Sequence, residues 1–128
     1  VFLDSPNMSL LHCLGSGILK YILWSGLHIH LDLFFPDKTT IYSVTLGDMI
    51  FMTWPGEPTT SLGIQLKEIA QLAGAKQAWV LGLTNDHLTY FVTPDEYKNG
   101  GYESCSCVYG ADGGTKIVDG YRKMLLGQ

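Results

Sequence analysis

Charged residues are scarce in this sequence, and basic residues are the scarcer kind. Charged residues make up 16% of the 128 residues, with 8 Lys+Arg against 12 Asp+Glu and a formal net charge of −4. The basic residues do not cluster, so the sequence lacks the positive surface that nucleic acid or an anionic membrane requires. We therefore expect no nucleic-acid partner.

The sequence also lacks a long hydrophobic run. The longest apolar stretch, from Ile18 to Trp24, is interrupted by Lys20 and is much shorter than the roughly 20 residues of a membrane span. We therefore expect no transmembrane segment. Hydrophobic residues nevertheless form 46% of the chain, which leaves little polar surface to solvate a small free-standing domain. Part of the surface is expected to be covered by other protein.

Cysteine is present at only three positions, Cys13, Cys105 and Cys107. An odd number leaves at least one thiol unpaired, and the C-x-C pair offers too few ligands for a zinc site without partners. We predict ordinary thiols, with a disulfide from Cys13 as the alternative.

Helical and strand patterns alternate along the chain, and they predict an α/β or α+β fold with a mixed sheet and packed helices. Residues 1–128 form a single domain or a segment of a larger one. Apolar residues recur at helical spacing after Ser5-Pro6 and in a stripe of Leu62, Leu66, Ile69, Ala70 and Ala73. The predicted elements are a first helix to Ile22, a strand at Leu27–Phe35, a hairpin of Thr40–Leu46 and Met49–Trp54, a helix capped at Thr59 or Thr60 and ended by Gly74, strands at Gln77–Leu83 and Leu88–Val92, a short helix at Pro94–Tyr97, a loop at Lys98–Gly114, and a last helix with Ile117, Val118, Tyr121, Met124 and Leu125 on one side.

Two stretches carry residues suited to chemistry. In PGEPTT, at 55–60, a glycine permits a sharp turn and Glu57 is presented just before a helix. This carboxylate could serve a site, or it could merely complement the helix dipole. The second stretch is tyrosine-rich and runs from Tyr90 to Tyr109. Its aromatic residues could line a binding edge beyond the strands or fill the core.

Three blocks of residues resemble one known family. The runs PGEPTT at 55–60, GLTNDHLTYFVTPDEY at 82–97 and YESCSCVYG at 102–110 look like consecutive signature blocks of the neutral/alkaline non-lysosomal ceramidases. The ceramidase-like region covers residues 40–126, and the residues before Thr40 show little resemblance. The resemblance implies the C-terminal part of a ceramidase-type catalytic domain.

The resemblance also implies a function and a set of site residues. The family's activity is zinc-dependent hydrolysis of the N-acyl bond of ceramide-like lipid amides, giving a sphingoid base and a fatty acid. By position, Glu57 and Tyr90 match metal ligands, and Tyr102 matches a catalytic tyrosine near the scissile amide. The family's histidine-bearing and serine blocks have no counterpart here, so the expected partner is the remaining upstream part of the catalytic domain. A secreted or extracytoplasmic location is implied by resemblance alone.

Two alternatives remain open at this point. His28 and His30 lie two apart on a predicted strand, so both imidazoles would project from one face, as they do in several metal hydrolases. The other alternative is a non-catalytic chain that retains the ceramidase-like fold and binds a partner or a lipid through its hydrophobic surface.

Overall fold

A computed structural model describes residues 1–3 and 35–128 of the chain. The predicted first helix and the predicted strand at Leu27–Phe35, apart from Phe35 itself, lie outside the described residues. In chain order, the described elements are β1 (Ser43–Leu46), β2 (Met49–Thr53), β3 (Glu57–Pro58), α1 (Thr60–Leu72), β4 (Gln77–Leu81), β5 (Tyr90–Phe91), α2 (Pro94–Asn99), α3 (Tyr102–Cys105) and α4 (Gly113–Leu126).

The described strands form two small sheets. In the larger sheet, β1 and β2 are an antiparallel hairpin, and β4 pairs in parallel with the other edge of β2. Gly47, with a φ of +60°, lies in the turn between β1 and β2, where a left-handed backbone suits glycine. The second sheet pairs β3 with β5 in parallel. The predicted hairpin and the mixed α/β architecture are confirmed.

The helix α1 begins and ends close to where its sequence signals predicted. Thr59 is the N-cap with extended backbone, and Gly74, with a φ of +95°, follows the C-terminal turn. The buried stripe consists of Leu62, Leu66, Ile69 and Ala70. Ala73, which the sequence pattern placed in this stripe, is exposed, because the helix has already ended at Leu72.

The core lies between the larger sheet and the two long helices, α1 and α4. Ile50 and Met52 of β2 alternate with less buried neighbours, so one face of the sheet points into this core. Tyr121 of α4 is fully buried, and its hydroxyl donates to the backbone carbonyls of Tyr42, at 2.9 Å, and Thr53. Met124, predicted on the buried side of this helix, is 47% exposed and belongs to its outer face.

Several predicted element boundaries differ from the structure, and backbone geometry explains two of the differences. The strand predicted at Gln77–Leu83 ends at Leu81, and the strand predicted at Leu88–Val92 is reduced to Tyr90–Phe91. Leu83 and Thr89 have φ values of 53° and 62°, which a β-strand cannot include. A further difference is the loop predicted at Lys98–Gly114, which contains the short helix α3.

The cysteine prediction is right for one described residue and wrong for another. Cys107 is a free, buried thiol, and burial raises its pKa. Cys105 is disulfide-bonded.

No helix in the described part of the chain has the length and apolar character needed to cross a membrane.

Candidate active site

The two chemistry-bearing stretches of the sequence meet at the smaller sheet. Glu57 of β3 is the register partner of Tyr90 of β5, so their α-carbons lie about 5 Å apart, as neighbouring strands do. The amide of Glu57 donates to the carbonyl of Thr89 at 2.8 Å, and the amide of Thr59 donates to the carbonyl of Phe91 at 3.1 Å. The backbone therefore presents a carboxylate and a phenol side by side.

The loop between β4 and β5 supports this arrangement, because it is hydrogen-bonded along the segment that precedes Glu57. It contains three residues with left-handed backbone conformation, Leu83, Asn85 and Thr89. Such backbone is uncommon in residues other than glycine and is often found at functional sites. Its amides donate to successive carbonyls: Thr84 to Trp54 at 2.9 Å, Leu88 to Pro55 at 2.7 Å and Leu83 to Gly56 at 2.8 Å.

Gly56 is required by a close approach of two backbones. A Cβ built on Gly56 would lie closer than 3.0 Å to the carbonyl oxygen of Thr89 and 3.0 Å from the ring of Phe91. Phe91 cannot yield easily, since it is fully buried, stacks on Tyr109 and makes an edge contact with Trp54. The glycine before Glu57 therefore allows β3 to approach β5.

A second tyrosine joins the pair. The ring of Tyr102, at the start of α3, packs edge-on against Tyr90 with centroids 5.4 Å apart and planes at 73°. Hydrogen bonding to Tyr102 raises the pKa of Tyr90, and desolvation and the negative charge of Glu57 raise it further. Without a cation, the negative charge of Glu57 therefore disfavours ionisation of the Tyr90 phenol. A divalent cation held by Glu57 and Tyr90 would reverse that preference.

Glu57 and Tyr90 line one wall of a cleft of about 490 Å³, called here the Glu57–Tyr90 cleft. Its charged lining residues in the described part are Glu57, Glu96 and Glu103, with no lysine or arginine among them. The negative lining and the adjacent oxygen donors fit a hard or borderline cation such as zinc. They fit half of a site, because the described residues contain no group of three His, Cys, Asp or Glu placed to hold a metal.

The structure therefore brings together all three residues that sequence analysis nominated, Glu57, Tyr90 and Tyr102. Glu57 belongs to β3 and stands before the cap of α1, whose first turn contains no acidic residue. The tyrosine-rich stretch fills both roles that its sequence allowed, core packing and lining of a cleft. Tyr109 is buried in the core, whereas Tyr90 is half-buried at the cleft and Tyr102 is 68% exposed.

The one histidine among the described residues, His87, is not part of this arrangement. His87 is exposed and does not line the Glu57–Tyr90 cleft. His28 and His30, the ligands of the alternative H-x-H site, lie outside the described residues.

Sequence analysis missed one residue of the cleft, Glu96. Its carboxylate accepts hydrogen bonds from the hydroxyls of Thr59 and Ser61, both at 2.7 Å, and from the amide of Thr93 at 2.8 Å. Partial burial alone would raise the pKa of Glu96, but these hydrogen bonds outweigh burial and hold the pKa below its usual range. The spacing of Thr93 and Glu96 is that of a helix capping box, which was the available signal, although it gives no hint of the two distant hydroxyls.

Comparison with known proteins identifies the family. The family model described as neutral/alkaline non-lysosomal ceramidase, N-terminal, matches residues 20–117. The chain therefore belongs to the neutral/alkaline non-lysosomal ceramidase family. The match includes residues before Thr40, where sequence analysis found little resemblance.

Individual relatives agree with the family match. The chain is 35% identical over 80 residues to the neutral ceramidase of Mycobacterium tuberculosis and 33% identical over 85 residues to that of Drosophila pseudoobscura pseudoobscura. These matches cover 60% and 62% of this chain but only 13% and 12% of the relatives.

The same fold occurs in solved structures. One is a ceramidase complexed with C2, and another is the neutral ceramidase from Pseudomonas aeruginosa. Each superposes with a TM-score of 0.64 at 23% identity, over 68% of this chain and 14% of the other.

Proposed function

We propose that this chain forms part of the active site of a zinc-dependent amide hydrolase that cleaves the N-acyl bond of ceramide-like lipids. Membership of the ceramidase family supports the reaction class. The register pairing of Glu57 with Tyr90, with Tyr102 packed on Tyr90, is the observation that carries the site assignment.

In this proposal Glu57 and Tyr90 are two of the zinc ligands, one a carboxylate and one a phenolate. Phenol has an ordinary pKa near 10, and a divalent cation stabilises its anion. When bound, zinc supplies Lewis acidity toward the amide carbonyl and toward an attacking hydroxyl. The two oxygens would also lower the net charge of the cation, and the β3–β5 pairing fixes the backbone positions of the two residues.

Tyr102 has a separate role in the proposal. It is more exposed than Tyr90, and its hydroxyl can donate a hydrogen bond to negative charge that develops on the substrate oxygen. Its edge contact with Tyr90 places its ring beside that of the proposed ligand. A donor whose benefit appears only in the transition state should affect turnover more than substrate binding.

The remaining ligands and the nucleophile are proposed to come from the rest of a ceramidase-type catalytic domain. Catalytic zinc sites generally use three or more protein ligands, and this proposal assigns two, Glu57 and Tyr90, to the described residues. The curated relatives compared above are several times longer than the segment that they share with this chain, which leaves ample sequence to supply the missing groups.

A test of the ligand assignment uses two conservative substitutions in the complete catalytic domain. Glu57→Gln and Tyr90→Phe each delete one anionic oxygen, and each should lower zinc content and amidase activity while leaving circular dichroism unchanged. Glu68→Gln and Tyr42→Phe are matched controls, because both residues are exposed and neither lines the cleft. Full zinc occupancy in both test variants would refute the assignment.

The second candidate is a non-catalytic chain that uses the ceramidase-like fold to bind a partner or a lipid. One observation favours it: the sheet face opposite the core exposes Val44, Leu46 and Trp79, with accessibilities of 59%, 62% and 54%. A contiguous apolar face of this kind usually marks an interaction surface. A complete domain that binds zinc but does not cleave a short-chain ceramide would favour this candidate over the hydrolase.

A further inference from the structure

Glu96 lies at the junction of the segments that carry the candidate site residues, and its hydrogen bonds extend beyond its own helix. Its Oε2 accepts from the amide of Thr93 at 2.8 Å and from the hydroxyl of Thr93 at 3.0 Å. The hydroxyl of Thr93 also accepts from the amide of Glu96 at 3.3 Å. These contacts complete a capping box at the start of α2 and are local.

Two further hydrogen bonds reach residues more than thirty positions earlier in the chain. Thr59 donates its hydroxyl to Oε2 of Glu96, and Ser61 donates its hydroxyl to Oε1, each at 2.7 Å. Thr59 is the N-cap residue of α1, yet its side chain makes no capping hydrogen bond to that helix. The hydroxyl that would ordinarily cap α1 is instead committed to Glu96.

The backbone of Glu96 adds a third connection. The hydroxyl of Ser104 donates to the carbonyl oxygen of Glu96 at 2.8 Å, and Ser104 is only 4% exposed. Ser104 belongs to the short helix that begins at Tyr102. Glu96 is thus hydrogen-bonded to three segments: the one that follows Glu57, the one that follows Tyr90 and the helix that begins at Tyr102.

We propose that Glu96 is a positioning residue that sets the relative placement of Glu57, Tyr90 and Tyr102 by tying their three segments together. Thr59 lies two residues after Glu57, Thr93 lies three residues after Tyr90, and Ser104 lies two residues after Tyr102. Short connections of this kind transmit a displacement at Glu96 to the site residues. The proposal rests on the proposed function for the roles of these three residues, but the placement itself does not depend on the metal.

A carboxylate suits this position, because the side-chain partners of Glu96 all donate and a carboxylate accepts at both oxygens. In Glu96→Gln, an NH₂ group in the place of Oε1 could still donate to the hydroxyl of Ser61, because a hydroxyl also accepts hydrogen bonds. Glu96→Ala removes both acceptor oxygens and is therefore the test variant.

The experiment distinguishes the hydrogen bonds that Glu96 accepts from Thr59 and Ser61 from those that cap its own helix. Thr59→Val combined with Ser61→Ala removes the two distant donors and leaves the capping box of Thr93 and Glu96 intact. Thr59→Ser retains the hydroxyl and should behave as the parent protein. Asp95→Asn is the control for charge, because Asp95 is an exposed carboxylate next to Glu96 that does not line the cleft.

Two measurements are made on each variant. In metal-free protein, NMR contacts between the Tyr90 and Tyr102 rings report their placement, and these contacts should weaken in Glu96→Ala and in the Thr59/Ser61 double variant only. In the complete domain, zinc affinity by chelator competition should fall about 10–100-fold in the same variants, as it does when outer partners of metal ligands are removed. Thr59→Ser and Asp95→Asn should retain both properties.

The outcomes are distinguishable. Unchanged ring contacts in Glu96→Ala and the double variant would overturn the positioning role, even if denaturation shows lower stability. Loss of the ring contacts while Glu57→Gln retains its zinc would uphold the positioning role and refute the proposed ligand assignment. Loss of zinc affinity in Asp95→Asn to the same extent would show a general charge effect and overturn the proposal.

Discussion

Gly56→Ala tests whether the approach of β3 to β5 builds the site. The added methyl group would lie closer than 3.0 Å to the carbonyl oxygen of Thr89, and 3.0 and 3.2 Å from two carbons of the Phe91 ring. The nearest atom is backbone, and the ring is fully buried, so neither can turn away at low cost. The strands must separate, and separation also weakens the hydrogen bond from the Glu57 amide to the Thr89 carbonyl.

The expected loss of stability follows from those two effects. Overpacking costs about 1–3 kcal/mol, and one net hydrogen bond contributes about 0.5–1.5 kcal/mol, so the free energy of unfolding should fall by about 2–4 kcal/mol. Gly63→Ala is the matched control, because Gly63 lies inside α1 and a Cβ there meets nothing within 4 Å. That change should raise stability by about 0.8–1 kcal/mol, since alanine favours a helix over glycine.

Urea denaturation of the two variants beside the parent protein measures both effects. Opposite shifts of the midpoint are expected, and Gly56→Ala should also weaken the NMR contacts between the Tyr90 and Tyr102 rings. A parent-like midpoint for Gly56→Ala would refute the reasoning, because it would show that the two backbones can separate without cost.

Three further predictions follow from individual residues. Tyr102→Phe in the complete domain should lower kcat while zinc content remains full; an unchanged kcat would exclude the hydrogen-bond role. His28→Ala and His30→Ala should leave zinc content intact, and loss of metal from either would favour the H-x-H alternative. Burial, with smaller contributions from Asp86 and Asp37, raises the pKa of Tyr109 to about 12. The contribution of buried, neutral Tyr109 to folding stability should therefore be complete below the ordinary pKa of 10.0 and decline as pH rises toward about 12. Tyrosinate absorbance and alkaline unfolding can follow this decline.

Much of the fold was predictable because local patterns determine it. The stripe of Leu62, Leu66 and Ile69 has helical spacing, and Gly74 supplies the left-handed residue after the helix. The hairpin was predictable for the same reason, since Gly47 interrupts two β-rich runs. The short helix α3 was not, because its four residues, beginning at Tyr102, are too few to show a period.

The candidate site was predictable only through resemblance to a family. Nothing in the local sequence specifies that Glu57 pairs with Tyr90, because strand register depends on contacts between distant segments. The same limit applies to Glu96. The pattern Thr93-x-x-Glu96 predicts a local cap, whereas the hydroxyls of Thr59 and Ser61 reach Glu96 only after α1 and α2 have packed.

The exposed face of the larger sheet should affect the association state of the 128-residue protein. Val44, Phe51 and Trp79 are register neighbours across the three strands, so their side chains share the face opposite the core. Such a face should drive self-association of the protein when no other part of a ceramidase-type domain covers it. Trp79→Gln should reduce association in analytical ultracentrifugation, whereas Leu72→Gln should not, because Leu72 is 76% exposed but lies at the end of α1.

The same protein is expected to bind zinc poorly and to hydrolyse no ceramide. Two oxygen ligands rarely form a tight zinc site, and the described residues offer no further group to complete it. The assay measures turnover of a fluorescent short-chain ceramide and bound zinc, first with the protein alone and then after co-expression with the remainder of the Mycobacterium tuberculosis neutral ceramidase, from which the matching segment has been deleted. Association of the two, with zinc retained and turnover restored, is the expected result. Robust turnover by the 128-residue protein alone would refute the half-site argument, and a zinc-free, inactive complex would favour the non-catalytic alternative.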